Sequence, residues 1–180
     1  MKLLNSGSIA KPYLIAEIGN NHEGDVGVAL ELVREASTAG ADAIKLQVFT
    51  PSLYVRESET ERMRQLERFR LTADDVRGVH DAAKTAGLDF VCTPFDIPCV
   101  EWLSPLVDAF KIASGDNDFA ELLDRVAVSG KPVIVSTSRR GLFGWRRSLF
   151  GWMLQNSSST ASYFALPPNR VVELGSRIEI

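Results

Sequence analysis

Residues 43–49 read Ala-Ile-Lys45-Leu-Gln47-Val-Phe, and residues 109–114 read Ala-Phe-Lys111-Ile-Ala-Ser. Both stretches have the length and apolar content of buried strands, yet each carries a lysine in its interior. Burying an ammonium group without a partner costs several kcal/mol, so each lysine must meet an anion. In the first stretch Lys45 and Gln47 share one strand face, because side chains alternate with a period of two. The two lysines predict a pocket for a carboxylate or phosphate, with pairing to a protein carboxylate as the alternative.

The bulk composition is that of a globular protein with a real core, because 45% of its 180 residues are hydrophobic. A net charge of −3 gives no basic footprint for nucleic acid. No apolar run approaches the length of a membrane span, and polar residues interrupt the start of the chain, which argues against a signal peptide. We expect a cytoplasmic protein in which Cys92 and Cys99 are reduced thiols.

Strand-like and helix-like patterns alternate along the first part of the chain. Thr72 and Asp75 form a capping-box pattern at the start of one helix. The charged residues 56–70 indicate a solvated helix or excursion. Strands are predicted over residues 13–18, 43–49, 90–95, 109–113 and 133–136. Helices are indicated by Val26, Leu30 and Val33 at helical spacing before Ala39-Gly40, by the segment from Thr72 that Gly87 ends, and over residues 119–129.

This alternation predicts an α/β protein with a parallel sheet and crossover helices, either doubly wound or a (β/α)8 TIM barrel. No Gly-x-Gly-x-x-Gly follows the first strand, so a dinucleotide-binding fold has no support. Polar residues within or just after nearly every strand favour the barrel, whose active sites lie at the carboxyl ends of the strands. These are Glu17, Lys45, Gln47, Thr93, Lys111, Ser114 and Ser136. Five strands make the barrel incomplete.

The strand ends together resemble the sialic acid synthase (N-acetylneuraminate synthase) family over about residues 10–137. Five segments in register carry the resemblance: Ala16-Glu-Ile-Gly-Asn-Asn-His-Glu-Gly-Asp25, Gly40-Ala-Asp-Ala-Ile-Lys-Leu-Gln-Val-Phe49, Phe90-Val-Cys-Thr-Pro-Phe-Asp96, Phe110-Lys-Ile-Ala-Ser-Gly-Asp116 and Gly130-Lys-Pro-Val-Ile-Val-Ser-Thr137. The resemblance implies a transferase that forms a C–C bond between phosphoenolpyruvate and N-acetylmannosamine or a related N-acetylated sugar. It also implies a divalent metal, Mn²⁺ or Mg²⁺, and a homodimer acting in carbohydrate biosynthesis without nucleic acid or membrane.

The resemblance also implies roles for individual residues. Phosphoenolpyruvate is expected to bind at Lys45, Gln47, Thr93, Lys111, Ser114 and Ser136, with Glu17 as the catalytic carboxylate. Each role has a structural alternative. The alternative for Glu17 is an ion pair with Lys45 and no catalytic role. The alternative for Thr93 is to shape the turn at the following proline. The alternative for Ser114 and Ser136 is to cap the helices that follow them. His22 is expected to shape its loop or touch substrate, and His80 to lie at the surface or in packing.

The chain departs from the family after Ser136, where residues 139–180 carry six arginines, no lysine and only two glutamates. The family's two metal-binding histidines are absent, and the sequence has only His22 and His80. With suitable codons, a shifted frame through residues 158–162 would read Leu-Val-His-Cys-Val, which matches a family strand. We therefore divide the chain into a barrel part, residues 1–138, and a tail, residues 139–180, predicted to be out-of-frame translation. The alternative is a genuine tail, such as a basic amphipathic segment that binds a membrane or a partner.

Three functions remain open at this point. The first is a synthase of the sialic acid type with little activity, because the residues that bind the metal are missing from the chain. The second is a non-catalytic remnant that at most binds phosphoenolpyruvate. The third is a related 3-deoxy sugar acid synthase. Open sheet edges predict a chain that is marginally stable or prone to aggregate.

Overall fold

The computed structural model describes residues 13–136 of the chain. The chain divides into two compact units, Met1–Val135 and Ser136–Ile180, and all described strands and helices belong to the first. In chain order these are β1 (Ile15–Gly19), α1 (Val26–Thr38), β2 (Ala43–Val48), α2 (Pro51–Tyr54), α3 (Thr60–Phe69), α4 (Ala73–Thr85), β3 (Asp89–Pro94), α5 (Ile97–Leu103), β4 (Ala109–Ile112), α6 (Ala120–Val128) and β5 (Val133–Val135).

The five strands form one parallel sheet in which the spatial order equals the chain order, β1-β2-β3-β4-β5. A doubly wound sheet reverses its strand order at a switch point and carries helices on both faces. Sequential order with crossover helices on one face is instead how a (β/α)8 barrel is built. The architecture is therefore α/β and an incomplete TIM barrel, as the sequence predicts.

The outer face of the sheet forms the main core. Alternate strand residues such as Ile44, Leu46, Phe90 and Phe110 are fully buried there. The helices cover this face with small and branched side chains, namely Ala29, Val33, Ala36, Val76, Val79, Ala83, Val100, Leu103, Leu122 and Val126. Fully burying each larger side chain contributes about 1.5–3 kcal/mol, so this face supplies most of the stability of the unit.

The inner face of the sheet carries a second, much smaller apolar cluster. Ala43, Val91 and Ala109 are fully buried at its centre. Three partly buried side chains flank them, Tyr13 and Ile15 at the β1 end and Ile134 on β5. This cluster lies on the same face of the sheet as the polar residues at the carboxyl ends of the strands.

The helix starts follow local chemistry. The Thr72 hydroxyl accepts from the Asp75 amide and the Asp75 carboxylate accepts from the Thr72 amide, which confirms the predicted capping box. The charged region around residues 56–70 forms α3, preceded by the single turn α2. On α1 the buried side chains are Ala29, Val33 and Ala36, whereas Leu30 stays 38% exposed, so the apolar stripe lies one position away from the predicted one.

One helix, α5, escapes the sequence analysis because it has seven residues and a proline at its start. Asp96 caps it with a carboxylate that accepts from the Cys99 amide at 2.8 Å. The other Asp96 oxygen accepts from the Thr50 amide at 2.6 Å. This buried aspartate therefore ties the ends of two neighbouring strands together.

Two smaller features complete the described unit. Cys92 and Cys99 are free and buried on the outer side, where burial raises the pKa of both thiols. Among the helices of residues 13–136, none is long and apolar enough to cross a membrane.

Candidate functional site

The sheet register places the candidate residues on one surface. Glu17 lies opposite Lys45 on neighbouring strands. Gln47 lies opposite Thr93 one step further along. Lys111 lies opposite Ile134, which belongs to the inner cluster. Because residues opposite one another in a sheet project from the same face, all five polar side chains belong to the inner face near the carboxyl ends of the strands.

Glu17 and Lys45 form an ion pair across β1 and β2. Lys45 is only 8% exposed, whereas Glu17 is half exposed, so the carboxylate covers the ammonium from the solvent side. Gly19 has a φ of +54°, and a Cβ there would lie 3.0 Å from a Glu17 oxygen. The missing side chain at this glycine leaves room for the Glu17 carboxylate above the strand end. The pairing with Lys45 that the sequence offered as an alternative is therefore present.

Lys111 holds the second positive charge of the site. Burial lowers the pKa of Lys111, and the positive charge of Lys45 lowers it further, while Glu17 and Asp116 act in the opposite direction. Within residues 13–136, no carboxylate lies within ion-pair distance of Lys111. The site thus contains two half-buried or buried ammonium groups, of which only Lys45 has a carboxylate in contact.

Asp116 is a site residue that sequence reasoning missed. Burial raises the pKa of its carboxyl, partly offset by the positive charge of Lys111, and Asp118 raises it further. One Asp116 oxygen is buried without a hydrogen-bond partner among the described residues. A signal was available, because Ser114-Gly-Asp116 directly follows the strand that carries Lys111.

Thr93 and Gln47 contribute neutral polar groups. Thr93 is 1% exposed, and its hydroxyl has no hydrogen-bond partner among the described residues. The Gln47 side-chain carbonyl accepts from the Asn20 side-chain amide at 3.2 Å. The Asn20 side-chain oxygen is buried and meets no hydrogen-bond partner within residues 13–136. A buried hydroxyl or amide without a partner costs about 1–3 kcal/mol. These groups are therefore candidates to bind a ligand.

His22 organises the loop between β1 and α1. Its imidazole is 2% exposed, and Nδ1 accepts from the Gly24 amide at 3.0 Å. Burial lowers the pKa of His22, which favours the neutral ring that this acceptor role requires. Among the two roles expected for His22, the structure confirms that it shapes the loop. His80 packs edge-on against Phe90, with ring centroids 5.5 Å apart, as expected for a packing residue.

The two candidate serines differ from the rest. Ser114 lies in an exposed turn after β4, and α6 begins only at Ala120 with no side-chain cap. The alternative that Ser114 caps the following helix is therefore wrong. Ser136 directly follows β5 and is the first residue of the second unit. Its expected role in binding phosphoenolpyruvate stays a prediction, as do the same role of the other five residues and the catalytic role of Glu17.

The described residues do not fit a metal centre. Within residues 13–136, no group of three or more His, Cys, Asp or Glu side chains is arranged to hold a metal ion. His80 packs against Phe90, and Nδ1 of His22 accepts from the Gly24 amide, while Nε2 of His22 is buried without a hydrogen-bond partner among the described residues. What this part of the chain brings together is two ammonium groups, two carboxylates and neutral polar groups at the carboxyl ends of the strands.

The tail matches a different family from the barrel part. Residues 117–180 match the model of the K+ potassium transporter C-terminal domain. The probable potassium transport system protein Kup of Myxococcus xanthus is 47% identical over 51 residues, which is 28% of this chain and 8% of that protein. The expected division at residue 138 and the expected frame shift stay predictions, and the match to residues 117–180 bears on the second.

The curated relatives of the barrel part include a sugar acid synthase and an uncharacterized protein. The N,N'-diacetyllegionaminic acid synthase of Legionella pneumophila is 33% identical over 146 residues, covering 73% of this chain and 41% of that protein. The uncharacterized protein MJ1065 of Methanocaldococcus jannaschii is 40% identical over 126 residues, covering 69% of this chain and 37% of that protein. The chain thus spans less than half the length of these curated relatives.

The structures agree with the sequences. The crystal structure of an N-acetylneuraminic acid (sialic acid) synthetase from Leptospira borgpetersenii superposes with a TM-score of 0.69 at 29% identity. The superposition covers 82% of this chain and 51% of the synthetase. The NeuB family model matches residues 32–142, which include four of the five described strands and the two lysines of the inner face. The chain therefore belongs to the NeuB family.

Proposed function

We propose that this chain carries the phosphoenolpyruvate-binding part of a nonulosonic acid synthase site. The supporting observation is the pair of lysines on the inner face, of which Lys111 keeps an ammonium group without a carboxylate in contact among the described residues. Phosphoenolpyruvate carries a carboxylate and a phosphate close together, and two lysines from different strands neutralise both. The Thr93 hydroxyl and the Ser114 and Ser136 hydroxyls supply directional hydrogen bonds.

The reaction of the whole enzyme is proposed to join phosphoenolpyruvate to an N-acetylated sugar such as N-acetylmannosamine. The C–C bond forms between the methylene carbon of phosphoenolpyruvate and the sugar aldehyde carbon. Water adds to the neighbouring carbon, and the phosphate leaves as inorganic phosphate. Glu17 and Gln47 stand beside Lys45, where the carboxylate can hold a proton and the amide can orient the sugar or the water.

Turnover by this chain is proposed to be weak or absent. A metal ion supplies Lewis acidity to the aldehyde oxygen in the reaction that the family resemblance implies, and residues 13–136 do not fit a metal ion. The competing proposal is a remnant that binds phosphoenolpyruvate and does no chemistry. The two are separated by measuring phosphate release from phosphoenolpyruvate with N-acetylmannosamine and added Mn²⁺. Phosphate release that depends on the sugar supports a synthase of low activity, and no phosphate release supports the remnant.

A related 3-deoxy sugar acid synthase would instead release phosphate from phosphoenolpyruvate when an aldose phosphate is the second substrate.

Binding is tested by titrating phosphoenolpyruvate into the full chain in a calorimeter, with Lys111→Met as the test variant. A charge-assisted hydrogen bond contributes about 1.5–3 kcal/mol, so we expect the variant to bind at least tenfold more weakly. Arg77→Met is the matched control, because it removes one positive charge from the exposed face of α4. Equal affinities for the wild-type chain and Lys111→Met, or an equal loss in Arg77→Met, would overturn the proposal.

A further inference from the structure

Three aromatic side chains lie together where β2 and β3 end, and we call them the aromatic trio: Phe49, Tyr54 and Phe95. The Tyr54 ring centroid lies 5.0 Å from that of Phe95 and 5.9 Å from that of Phe49. Packed aromatic pairs have ring centroids about 4.5–7 Å apart, so the three rings form one contact group. Within residues 13–136, the trio belongs neither to the outer core nor to the small inner cluster. It is therefore a separate apolar group at the carboxyl ends of the strands.

The trio continues the two strand rows that carry polar site residues. Phe49 follows Gln47 by two positions, and Phe95 stands in the same relation to Thr93. Gln47 and Thr93 lie opposite one another in the sheet. The Phe95 amide donates to the Val48 carbonyl at 3.0 Å, so β2 and β3 remain paired up to the trio. Because a two-residue step along a strand covers about 6–7 Å, the trio adjoins the polar site.

Tyr54 is the member of the trio that solvent reaches most. Its residue is 41% exposed, whereas Phe49 is 5% exposed. Tyr54 ends the single-turn helix α2, which begins at Pro51. Proline fixes the backbone at the start of this turn, and the two phenylalanine rings support one side of the tyrosine ring. The ring is thus held in place while part of its surface stays open to a ligand.

An N-acetylated sugar has the two kinds of surface that this arrangement matches. Its C–H groups and its acetyl methyl group are apolar and pack on aromatic rings, whereas its hydroxyl and amide groups need directional polar partners. The Asn20 side-chain oxygen is a buried acceptor without a hydrogen-bond partner among the described residues, and the Asn20 amide binds Gln47.

We propose that Tyr54 is a specificity-determining residue whose ring packs on the apolar surface of an N-acetylated sugar. The Asn20 oxygen accepts a hydroxyl or amide proton of the same sugar beside Gln47. This inference rests on the proposed function, in which such a sugar is the second substrate.

The test titrates N-acetylmannosamine into the full chain, with and without saturating phosphoenolpyruvate, and measures the affinity by NMR. Tyr54→Ala should weaken sugar binding about fivefold, because the aromatic contact is lost. Tyr54→Phe keeps the ring and should stay within about twofold of the wild-type affinity. Leu53→Ala is the matched control, because Leu53 is 59% exposed on the same turn and is not part of the trio. None of the three changes should alter the affinity for phosphoenolpyruvate.

Fluorine NMR makes the test independent of the folding of Tyr54→Ala. The wild-type chain is labelled with fluorotyrosine, and Tyr54→Phe assigns the Tyr54 signal by its loss. The sugar should shift the Tyr54 signal and leave the Tyr13 signal unchanged, because Tyr13 donates to Asp89 at the amino end of β3.

Equal sugar affinities in the wild-type chain and Tyr54→Ala, an equal loss in Leu53→Ala, or no sugar binding at all would overturn the proposal. Failure of phosphoenolpyruvate to bind the wild-type chain would instead overturn the proposed function, and the sugar titration without phosphoenolpyruvate would still decide the role of Tyr54.

Discussion

Lys111 decides the electrostatic behaviour of the site, because its ammonium group is disfavoured by burial and by Lys45. The folded-state pKa lies below the ordinary 10.5 of lysine, so the unfolded chain binds more protons between the two values. The contribution of Lys111 to the free energy of unfolding therefore rises with pH across that window. The affinity for an anionic ligand depends on pH in the opposite direction and falls as pH rises, because the anion binds the protonated amine.

This opposition gives a prediction for phosphoenolpyruvate. Its affinity for the chain should fall as pH rises through the lowered pKa of Lys111, before an ordinary lysine would lose its charge. Calorimetric titrations at increasing pH and constant ionic strength measure the fall. In Lys111→Met the fall in this window should disappear, because the titrating group is gone. A profile that is the same in both proteins contradicts the assignment of Lys111 to the ligand.

Gly24 shows how the loop before α1 depends on one missing side chain. Its φ is +87°, and a Cβ there would overlap the backbone carbonyl oxygen of Arg68 at the end of α3. Glu23 beside it binds the Arg68 guanidinium at 2.9 Å. The loop that carries His22 thus rests directly on the backbone of α3.

Gly24→Ala should destabilise the protein by about 3 kcal/mol or more, because a left-handed backbone and a backbone clash act together. Gly78→Ala is the matched control, since a Cβ added at this position on α4 would meet nothing within 4 Å. That change should stabilise the helix by about 0.5–1 kcal/mol. Urea unfolding of the two variants measures both effects, and a Gly24 variant as stable as the wild-type chain would contradict the close approach.

At the scale of elements, the strands and the longer helices could both be predicted from their periodicity. Side chains alternate along the strands, polar inner-face residues mark the first four strands (Glu17, Lys45, Thr93 and Lys111), and each predicted strand is present within two residues of its bounds. The short helix α5 has no comparable pattern, because tertiary contacts through Asp96 rather than periodicity define it. Asp116 was missed although it follows Lys111 by only five positions, because it lies in a turn that no strand or helix period marks.

Asp96 links the segment after β2 to the start of α5 through its carboxylate. It is 4% exposed and accepts from two backbone amides, at Thr50 and Cys99, so Asp96→Ala leaves two N–H groups without partners. Each loss costs about 1–3 kcal/mol, and the variant should lose about 2–5 kcal/mol of unfolding free energy. Asp25→Ala, which removes the exposed cap of α1, should cost only about 1 kcal/mol. Thermal unfolding compares the two, and equal losses would contradict the role of burial.

At the scale of the whole molecule, the incomplete barrel could be predicted, whereas the nature of the tail could not. The strand-end polar residues are local in sequence, so they indicate the barrel and its inner face directly. Residues 139–180 lack such a pattern, and their composition together with a back-translation of residues 158–162 led to the prediction of a shifted frame. Their basic character is equally compatible with a segment from an unrelated protein.

The match of residues 117–180 to a potassium transporter domain favours a genuine tail over out-of-frame translation. A shifted frame has no reason to match a protein family, whereas a joined coding segment does. We therefore expect the coding DNA to keep one open frame through codons 136–180, with no NeuB-type continuation in the other two frames. Sequencing that region and translating all frames measures this. A second frame that encodes a strand with His-Cys-Val and a later histidine would instead support the frame shift, and would mean that an intact gene encodes the full synthase barrel.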